Sequence, residues 1–304
     1  MPNSPNPRPT ARTASTPGRD GRRTGLRAAL FTGFVTAAFA AAAVGPAAAA
    51  GTGTASETGT ASATGTAPAT ARSQARVTTA VLDLDHPTAK PQVRGKDVPY
   101  DTASIVKVDI LSALLVQAQD AGRGLTLQER TLAEAMIEHS DNDAANALWR
   151  EIGQAPGLKA VNKRLGLSAT VGGTGGKWGL TRTTASDQIG LLRAVFAADG
   201  TATATTSALN TTSRTYIRTL MTRIATDQSW GVSAAADSGW ALKNGWLQRS
   251  TTGLWDINSV GQVTSGTHHY LVAVLSDGNT SMAGGIRTVE NAARTAVTSV
   301  RAAG

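Results

Sequence analysis

The spacing of hydrophobic residues changes once along the chain, from a helical spacing to an alternating one. A first strand is predicted at residues 80–85, where one face is wholly apolar. Apolar residues three and four positions apart then predict six helices, at about residues 104–121, 126–139, 143–152, 158–165, 184–198 and 213–224. The first is apolar nearly all round in its first half, which is typical of a buried helix. The second begins with a capping box, Thr126 with Glu129.

Short alternating or apolar runs follow these helices, at residues 238–247, 253–260 and 269–275, with turns between them. Such runs predict antiparallel strands joined as hairpins. A last helix is predicted from about residue 284 to the C-terminus. One strand, a group of helices, three meandering strands and a final helix indicate an α+β fold. In it an antiparallel β-sheet is flanked by helices and lies beside a helical subdomain.

The N-terminal part of the chain does not share these patterns. Residues 1–50 have a polar, basic start, an apolar stretch and small residues before Gly51, and predict a secretory signal peptide. Arg22-Arg23 also resembles a twin-arginine signal. Residues 51–75 are mostly Gly, Thr, Ala and Ser, and predict a disordered linker because they offer too little apolar surface to offset the entropy of ordering. The folded domain is therefore expected at residues 76–304.

Net charge changes once the leader is removed. The whole chain has 29 basic and 21 acidic residues, a formal charge of +8. The leader holds six of the basic and one of the acidic residues, which leaves 23 and 20 in the mature chain. The remaining basic residues are dispersed and not interleaved with aromatic ones, so no nucleic-acid partner is expected. We also expect no stable membrane span after the leader, and a monomer.

The chain contains no cysteine. It therefore has no disulfide, no thiol nucleophile and no cysteine for lipid attachment. Together with the signal peptide, this predicts a protein that is secreted and is not a lipoprotein.

Lys107 is the unusual residue of the first helix, because it places an ammonium group in an otherwise apolar face. Burial lowers the pKa of a lysine, and a neutral amine can act as a base. Ser104 lies three residues earlier, on the same helical face and at the helix N-terminus, where free N–H groups favour a developing oxyanion. The two residues form a candidate nucleophile and base. The alternative is that Ser104 only caps the helix and Lys107 extends to solvent.

Two more short motifs follow in the chain. Ser-Asp-Asn at residues 140–142 lies between two predicted helices, where these residue types are also common as caps. Lys-Asn-Gly at residues 243–245 lies on a predicted strand and combines a cation, an amide and an unobstructed backbone. Lys-Trp-Gly at residues 177–179 matches the same K-x-G pattern, but only Lys243 lies on a strand of the C-terminal sheet.

An S-x-x-K at a helix start, an S-D-N between helices and a K-x-G on a late strand resemble the serine β-lactamase and penicillin-binding protein superfamily, class A most closely. The resemblance covers about residues 76–304. It implies an active site in the cleft between the helical subdomain and the sheet. It also implies that Ser104 is the acylated nucleophile and Lys107 its base, and that Ser140 relays a proton to the leaving nitrogen. Lys243 would fix the substrate carboxylate or tune Ser140.

The same resemblance implies how a substrate is held. Substrate-binding roles are expected for Asn142, Asn244, Gly245 and Trp246, and the backbone N–H groups of Ser104 and Trp246 would form the oxyanion hole. The expected substrate is an amide flanked by a carboxylate, as in β-lactams and D-Ala-D-Ala peptides. No cofactor and no metal are expected.

The sequence departs from this family in three places. Asn244 stands where the family usually has Thr or Ser, and the segment between Ser104 and Ser140 is shorter, which is expected to open one rim of the cleft. In class A enzymes a loop after the S-D-N carries a glutamate that activates the deacylating water. Here the corresponding stretch, residues 171–181, is glycine-rich, and no acid occurs between residues 152 and 186. Without a general base, deacylation is expected to be slower by about 10²–10⁴.

Other chemistries lack their motifs. The glycine-rich stretch is not a P-loop, because Trp178 stands where Ser or Thr is required. His268 and His269 are adjacent on a predicted strand and point to opposite faces, so no metal site is expected. The expected function is an exported serine acyl-transfer hydrolase with slow β-lactam turnover. The alternatives are a non-catalytic β-lactam- or peptidoglycan-binding or sensing protein, and a structural cell-wall module.

Overall fold

The computed structural model describes residues 75–86, 90–196 and 208–303. The predicted signal peptide lies outside these residues, and so does the predicted linker except for residue 75. The strands are β1 (Arg76–Asp83), β2 (Gln92–Arg94), β3 (Tyr100–Asp101), β4 (Arg182–Thr183), β5 (Trp240–Gln248), β6 (Trp255–Ser265) and β7 (His268–Asn279). The α-helices are α1 (Val106–Asp120), α2 (Leu127–Glu138), α3 (Asn142–Glu151), α4 (Gln154–Leu165), α5 (Ala185–Phe196), α6 (Thr211–Met221) and α7 (Met282–Ala303).

The main sheet has five antiparallel strands in the order β2-β1-β7-β6-β5. Its middle strand, β7, is buried on both faces, which explains why its sequence is nearly continuously apolar rather than alternating. One face of β7 packs into the helical core, and the other packs against α7. The residues of these two faces are Leu271, Ala273 and Leu275, and Tyr270, Val272 and Val274.

Helix α1 is the centre of the helical subdomain. Residues 106–116 are all buried, and the helix contacts α2, α3, α4 and α6. A helix with neighbours on every side has no solvent face, which is why its sequence lacks one. The capping box of α2 is present as predicted, with Thr126 accepting from the Glu129 N–H at 3.1 Å. The predicted α+β architecture is confirmed, and none of the helices in the described part of the chain is long and apolar enough to cross a membrane.

A second, two-stranded sheet was not predicted. It pairs β3 with β4, with Tyr100 opposite Thr183 and Asp101 opposite Arg182. The N–H of Thr102 also donates to the carbonyl of Thr181 at 2.8 Å. Strands of two residues have no periodicity that a sequence can reveal. The pairing of β3 with β4 matters for the site, because it holds the end of the glycine-rich stretch against the segment that carries Ser104.

Candidate active site

Ser104 lies in a tight turn directly before α1, the central helix of the helical subdomain. The chain leaves β3, forms a 3₁₀ turn at Ala103–Ile105 and begins α1 at Val106, so the predicted α-helix starts two residues later than expected. Ala103 has φ +47°, in the left-handed region that is unfavourable for a residue with a Cβ. Ala103 and Ile105 are buried, whereas Ser104 is partly exposed. The strained turn therefore makes the serine the accessible residue of the three.

Lys107 is fully buried one turn after Ser104. Its Nζ donates to the carbonyl of Ser140 at 2.6 Å, to Ser140 Oγ at 3.0 Å and to Asn142 Oδ1 at 2.9 Å. These acceptors use the three donors of an ammonium group. Among the residues that the structure describes, the Ser104 hydroxyl makes no hydrogen bond, so Lys107 is held beside the serine rather than bonded to it. The alternative in which Lys107 extends to solvent is wrong.

Burial lowers the pKa of Lys107 to about 7, and the nearby charge of Asp141 opposes this shift. The neutral form of this amine, which a base requires, is therefore accessible near neutral pH. The ring of Trp178 lies over Nζ, 4.9 Å from it to the ring centroid, and contributes to its enclosure.

The turn at residues 140–142 supplies the partners of this amine. Ser140 has φ +56°, a second strained residue. Asp141 Oδ1 accepts from the N–H of Ala144 at 2.6 Å and caps α3. Of the three residues, Asp141 is the one that caps a helix, as its residue type suggested. The left-handed turn at Ser140 directs oxygens of Ser140 and Asn142 to Lys107.

The third motif lies on β5, the edge strand of the main sheet. Lys243 is fully buried, and burial together with the charge of Lys107 holds its pKa well below the ordinary value. A Cβ on Gly245 would lie 2.7 Å from the Thr102 carbonyl oxygen and 2.8 Å from the Ser104 nitrogen. Only glycine permits this approach, so the backbone of β5 lies directly against the segment that carries Ser104. Trp246, the next residue of β5, is partly exposed.

Asn244, for which a substrate-binding role is predicted, also has structural partners. Its side chain is fully buried, and Nδ2 donates to the carbonyls of Gln228 at 2.7 Å and Trp230 at 2.9 Å. Adjacent residues of a strand point to opposite faces, but here both Lys243 and Asn244 are covered. Through these two hydrogen bonds, Asn244 holds the chain before β5 in place.

Trp178 is the site residue that sequence reasoning missed. Its ring covers Lys107, and its Nε1 donates to Asn146 Oδ1 at 2.8 Å. Lys177, the lysine of the alternative K-x-G match, is exposed, whereas Lys107 and Lys243 are both buried. A tryptophan in a glycine-rich stretch has no local signature of this role, which depends on the distant pairing of β3 with β4.

A groove of about 500 Å³ runs beside these residues. One wall is formed by α3 and the glycine-rich stretch, and the other by the end of β5 and the turn after it. Asn142, Trp178, Leu247 and Arg249 line it, so it combines apolar surface with an amide and a guanidinium group.

A helical subdomain packed on an antiparallel sheet, with S-x-x-K, S-D-N and K-x-G motifs in this order, defines the serine β-lactamase and penicillin-binding protein class. The chain belongs to the β-lactamase enzyme family, whose model matches residues 117–300. The matched segment includes the S-D-N and K-N-G motifs and begins after Lys107.

Solved structures with the same fold include TLA-3 extended-spectrum β-lactamase, with a TM-score of 0.62 and 16% identity over 74% of this chain and 92% of that one. PBP-A has a TM-score of 0.61 and 19% identity over 76% and 92%. A class A β-lactamase from Bacteroides cellulosilyticus DSM 14838 has a TM-score of 0.60 and 17% identity over 74% and 92%. At these identities the likeness concerns the fold.

Curated relatives correct the expected localisation. The putative lipoprotein LppW of Mycobacterium tuberculosis is 29% identical over 112 residues, and the match spans 37% of this chain and 36% of that protein. The same protein of Mycobacterium bovis matches equally. The expectation of a secreted protein that is not a lipoprotein is therefore wrong. It rested on the missing cysteine, which excludes one chemistry of attachment but does not decide where the folded domain is held.

Proposed function

We propose that this protein is a serine acyl-transfer hydrolase that forms an acyl-enzyme at Ser104 with β-lactams or with D-Ala-D-Ala-type amides. The observation that carries the proposal is the buried amine of Lys107, with a pKa of about 7, enclosed by Ser140 and Asn142 one turn from an accessible serine. A charged group is costly to bury, so a buried neutral amine beside a nucleophile is typical of a catalytic base.

In the acylation step, the oxygen of Ser104 attacks the amide carbonyl carbon. The neutral Lys107 accepts the hydroxyl proton. Ser140 Oγ lies 3.0 Å from Lys107 Nζ, a distance at which a proton can pass to Ser140 and from it to the leaving nitrogen. The C–N bond then breaks, and the acyl group stays on Ser104 as an ester. A substrate carboxylate brought to this end of the cleft would favour the charged form of the buried Lys243, whose pKa burial lowers.

The close approach of Gly245 to the Ser104 segment supports an oxyanion hole between them. The N–H groups of Ser104 and Trp246 are the proposed donors to the carbonyl oxygen as it becomes negative. Fixed backbone donors of this kind do not have to reorganise during the reaction, and removing one such donor typically costs about 10²–10³ in rate.

Deacylation is proposed to be slow. Residues 152–186, which include the glycine-rich stretch, contain no acid. Asp141, the carboxylate whose charge reaches Lys107, is occupied in capping α3. Residues 152–186 and the capping Asp141 therefore supply no free carboxylate to activate a water at the ester. A variant of PBP-A, which shares this fold at 21% identity, has been solved as an acyl-enzyme complex with penicillin G.

Intact-mass spectrometry with penicillin G tests the proposal. The wild-type protein is expected to gain one covalent adduct that persists for minutes to hours, and Ser104→Ala is expected to gain none. Ser186→Ala removes an exposed serine outside the cleft and is the matched control, which should acylate like wild type. The same measurement with a D-Ala-D-Ala peptide distinguishes the substrate classes.

A non-catalytic binder is the second candidate, because the Ser104 hydroxyl has no hydrogen bond to Lys107 among the described residues. That candidate requires saturable binding of penicillin or peptide without an adduct. Binding that survives Ser104→Ala unchanged, with no mass change on wild type, would refute the acyl-transfer proposal.

A further inference from the structure

Three of the four histidines of the chain lie where β1 ends and β7 begins. Asp83, the last residue of β1, pairs with Tyr270, and the N–H of Leu84 donates to the carbonyl of His269 at 2.8 Å. This pairing brings His86, in the turn after β1, next to His268, the first residue of β7. The sequence had indicated no metal site because His268 and His269 point to opposite faces. His86 lies 182 residues from His268 in the chain, and only the pairing of β1 with β7 brings them together.

Two imidazoles converge on one carboxylate oxygen in this cluster. Asp83 Oδ2 lies 2.8 Å from His86 Nδ1 and 2.9 Å from His268 Nδ1. One ligand atom from each of the three residues lies within 4.8 Å of the others. His269 does not take part, because its ring nitrogen pairs with Asp85 at 3.1 Å.

Neighbouring groups hold these three side chains in place. The N–H of Asp85 donates to Asp83 Oδ1 at 2.9 Å, which orients the buried carboxylate and directs Oδ2 to the histidines. The rings of His86 and His268 stack at 5.4 Å between centroids, and His268 stacks on Tyr270 at 6.0 Å. The two histidine side chains are 52% and 35% exposed, so an ion can reach them from solvent.

We propose that Asp83, His86 and His268 form a binding site for a divalent transition-metal ion, with zinc as the ion that best fits the donors. Two imidazole nitrogens and one carboxylate oxygen suit zinc, whereas calcium and magnesium prefer oxygen ligands alone. Zinc bonds of about 2.0–2.1 Å in tetrahedral geometry separate neighbouring ligand atoms by about 3.3 Å. The two oxygen-to-nitrogen separations of 2.8 and 2.9 Å are about half an ångström shorter than this, so the exposed rings would have to shift, and water would complete the coordination.

The site is separate from the one at Ser104. Across the main sheet, β1, which ends at Asp83, is three strands away from β5. Along the strands, Asp83 is level with Tyr270 and Val263, and this level lies five residues from that of Gly245. Strand spacing and rise place the two on the order of 20 Å apart. The ion would link the end of β1 to the start of β7, so it would stabilise the fold instead of taking part in acylation.

Zinc titration of the untagged protein by calorimetry at pH 7.5 tests the site. One zinc ion per chain is expected, with a melting temperature that rises with zinc concentration. His86→Ala and His268→Ala are each expected to weaken binding by at least about tenfold, since even the loss of groups that only orient a ligand costs about 10–100-fold. His269→Ala, which removes the adjacent histidine, is the control and should bind like wild type.

Cobalt provides a second readout that does not depend on stability. Binding of Co²⁺ in place of zinc should produce visible absorption bands, and these should disappear in His268→Ala and persist in His269→Ala. The proposal is overturned if wild type shows no saturable zinc binding, or if His269→Ala loses as much affinity as His268→Ala. Ser104→Ala should bind zinc normally, so a failure of this site and a failure of the proposed acylation are distinguishable.

Discussion

At the scale of single residues, the site depends on a lysine that cannot be solvated. Lys107 and Lys243 are both fully buried, and their hydrogen-bond acceptors are uncharged oxygens, three for Lys107 and the carbonyl of Asn244 for Lys243. Desolvation is therefore the main cause of the lowered pKa of Lys107, and the carboxylate of Asp141 only moderates it. An ammonium whose pKa lies near 7 has its neutral form, the form that the proposed base requires, accessible at neutral pH.

The pH dependence of acylation follows from this balance. The acylation rate with penicillin G is expected to rise between about pH 6 and pH 8 with a midpoint near 7, because only the neutral amine, present above its pKa, accepts the Ser104 proton. Asp141→Asn keeps a capping side chain but removes the charge that raises the pKa of Lys107. Its midpoint is therefore expected at lower pH. Rates from quenched intact-mass measurements would contradict this assignment if the profile were flat or if Asp141→Asn shifted it upward.

At the scale of secondary structure, the contact between β5 and the turn before α1 assembles the site. Thr102, Ser104 and Ile105 all present backbone atoms within 3 Å of where a Gly245 Cβ would be. Strained backbone at Ala103 and Ser140 directs the other two motifs to the same place. Three elements far apart in sequence therefore meet because one residue has no side chain and two others accept an unfavourable φ.

Gly245→Ala is expected to displace β5 from Ser104, because its Cβ would meet backbone atoms that cannot rotate away. Since a misplacement of about 1 Å can cost about 10² in rate, acylation should fall by about that factor or more. Gly239→Ala lies just before the same strand, where a Cβ would make only ordinary contact with Thr264, and is the matched control. Equal acylation rates for the two variants, measured by adduct formation, would show that the close approach is not required.

At the scale of the whole molecule, the buried helix α1 also carries an acid in the core. Asp109 is 1% exposed, and within the described residues neither of its carboxylate oxygens has a hydrogen-bond partner. Burial raises the pKa of Asp109 to about 7. The folded protein therefore keeps a proton on Asp109 that the unfolded chain releases at about pH 4, and folding becomes less favourable as pH rises from about 4 to 7.

Asp109→Asn is expected to remove this pH dependence. Between pH 5 and pH 8, wild type should lose about 3 kcal/mol more in its free energy of unfolding than the variant does. Asp143→Asn removes an exposed acid of α3 and should behave like wild type. Urea unfolding at both pH values measures the difference, and Lys107 contributes equally to every protein compared. Parallel losses in wild type and Asp109→Asn would contradict a protonated Asp109.

Local patterns were sufficient for most of this fold. Within the described residues, the apolar spacing identified all seven α-helices and four of the strands. This was possible because burial imposes a period of 3.6 or 2 on any element that packs against a core. The positions of the strands then predicted the antiparallel sheet. The order of three short motifs also indicated the family, since a shared chemistry requires those residue types at those places. The composition of residues 1–75 still predicts a signal peptide and linker, which N-terminal sequencing of the protein purified from its native cells can check.

Contacts between distant segments were decided only by the tertiary structure. The β3–β4 pair, the cover of Lys107 by Trp178, the buried position of Asn244 and the convergence of His86 with His268 all join residues with no periodic relation in sequence. The sequence alone does not distinguish a buried polar residue that holds a loop from one that binds a substrate or an ion. Its role depends on which partner lies within about 3 Å, and that distance is set by the packing of the whole domain.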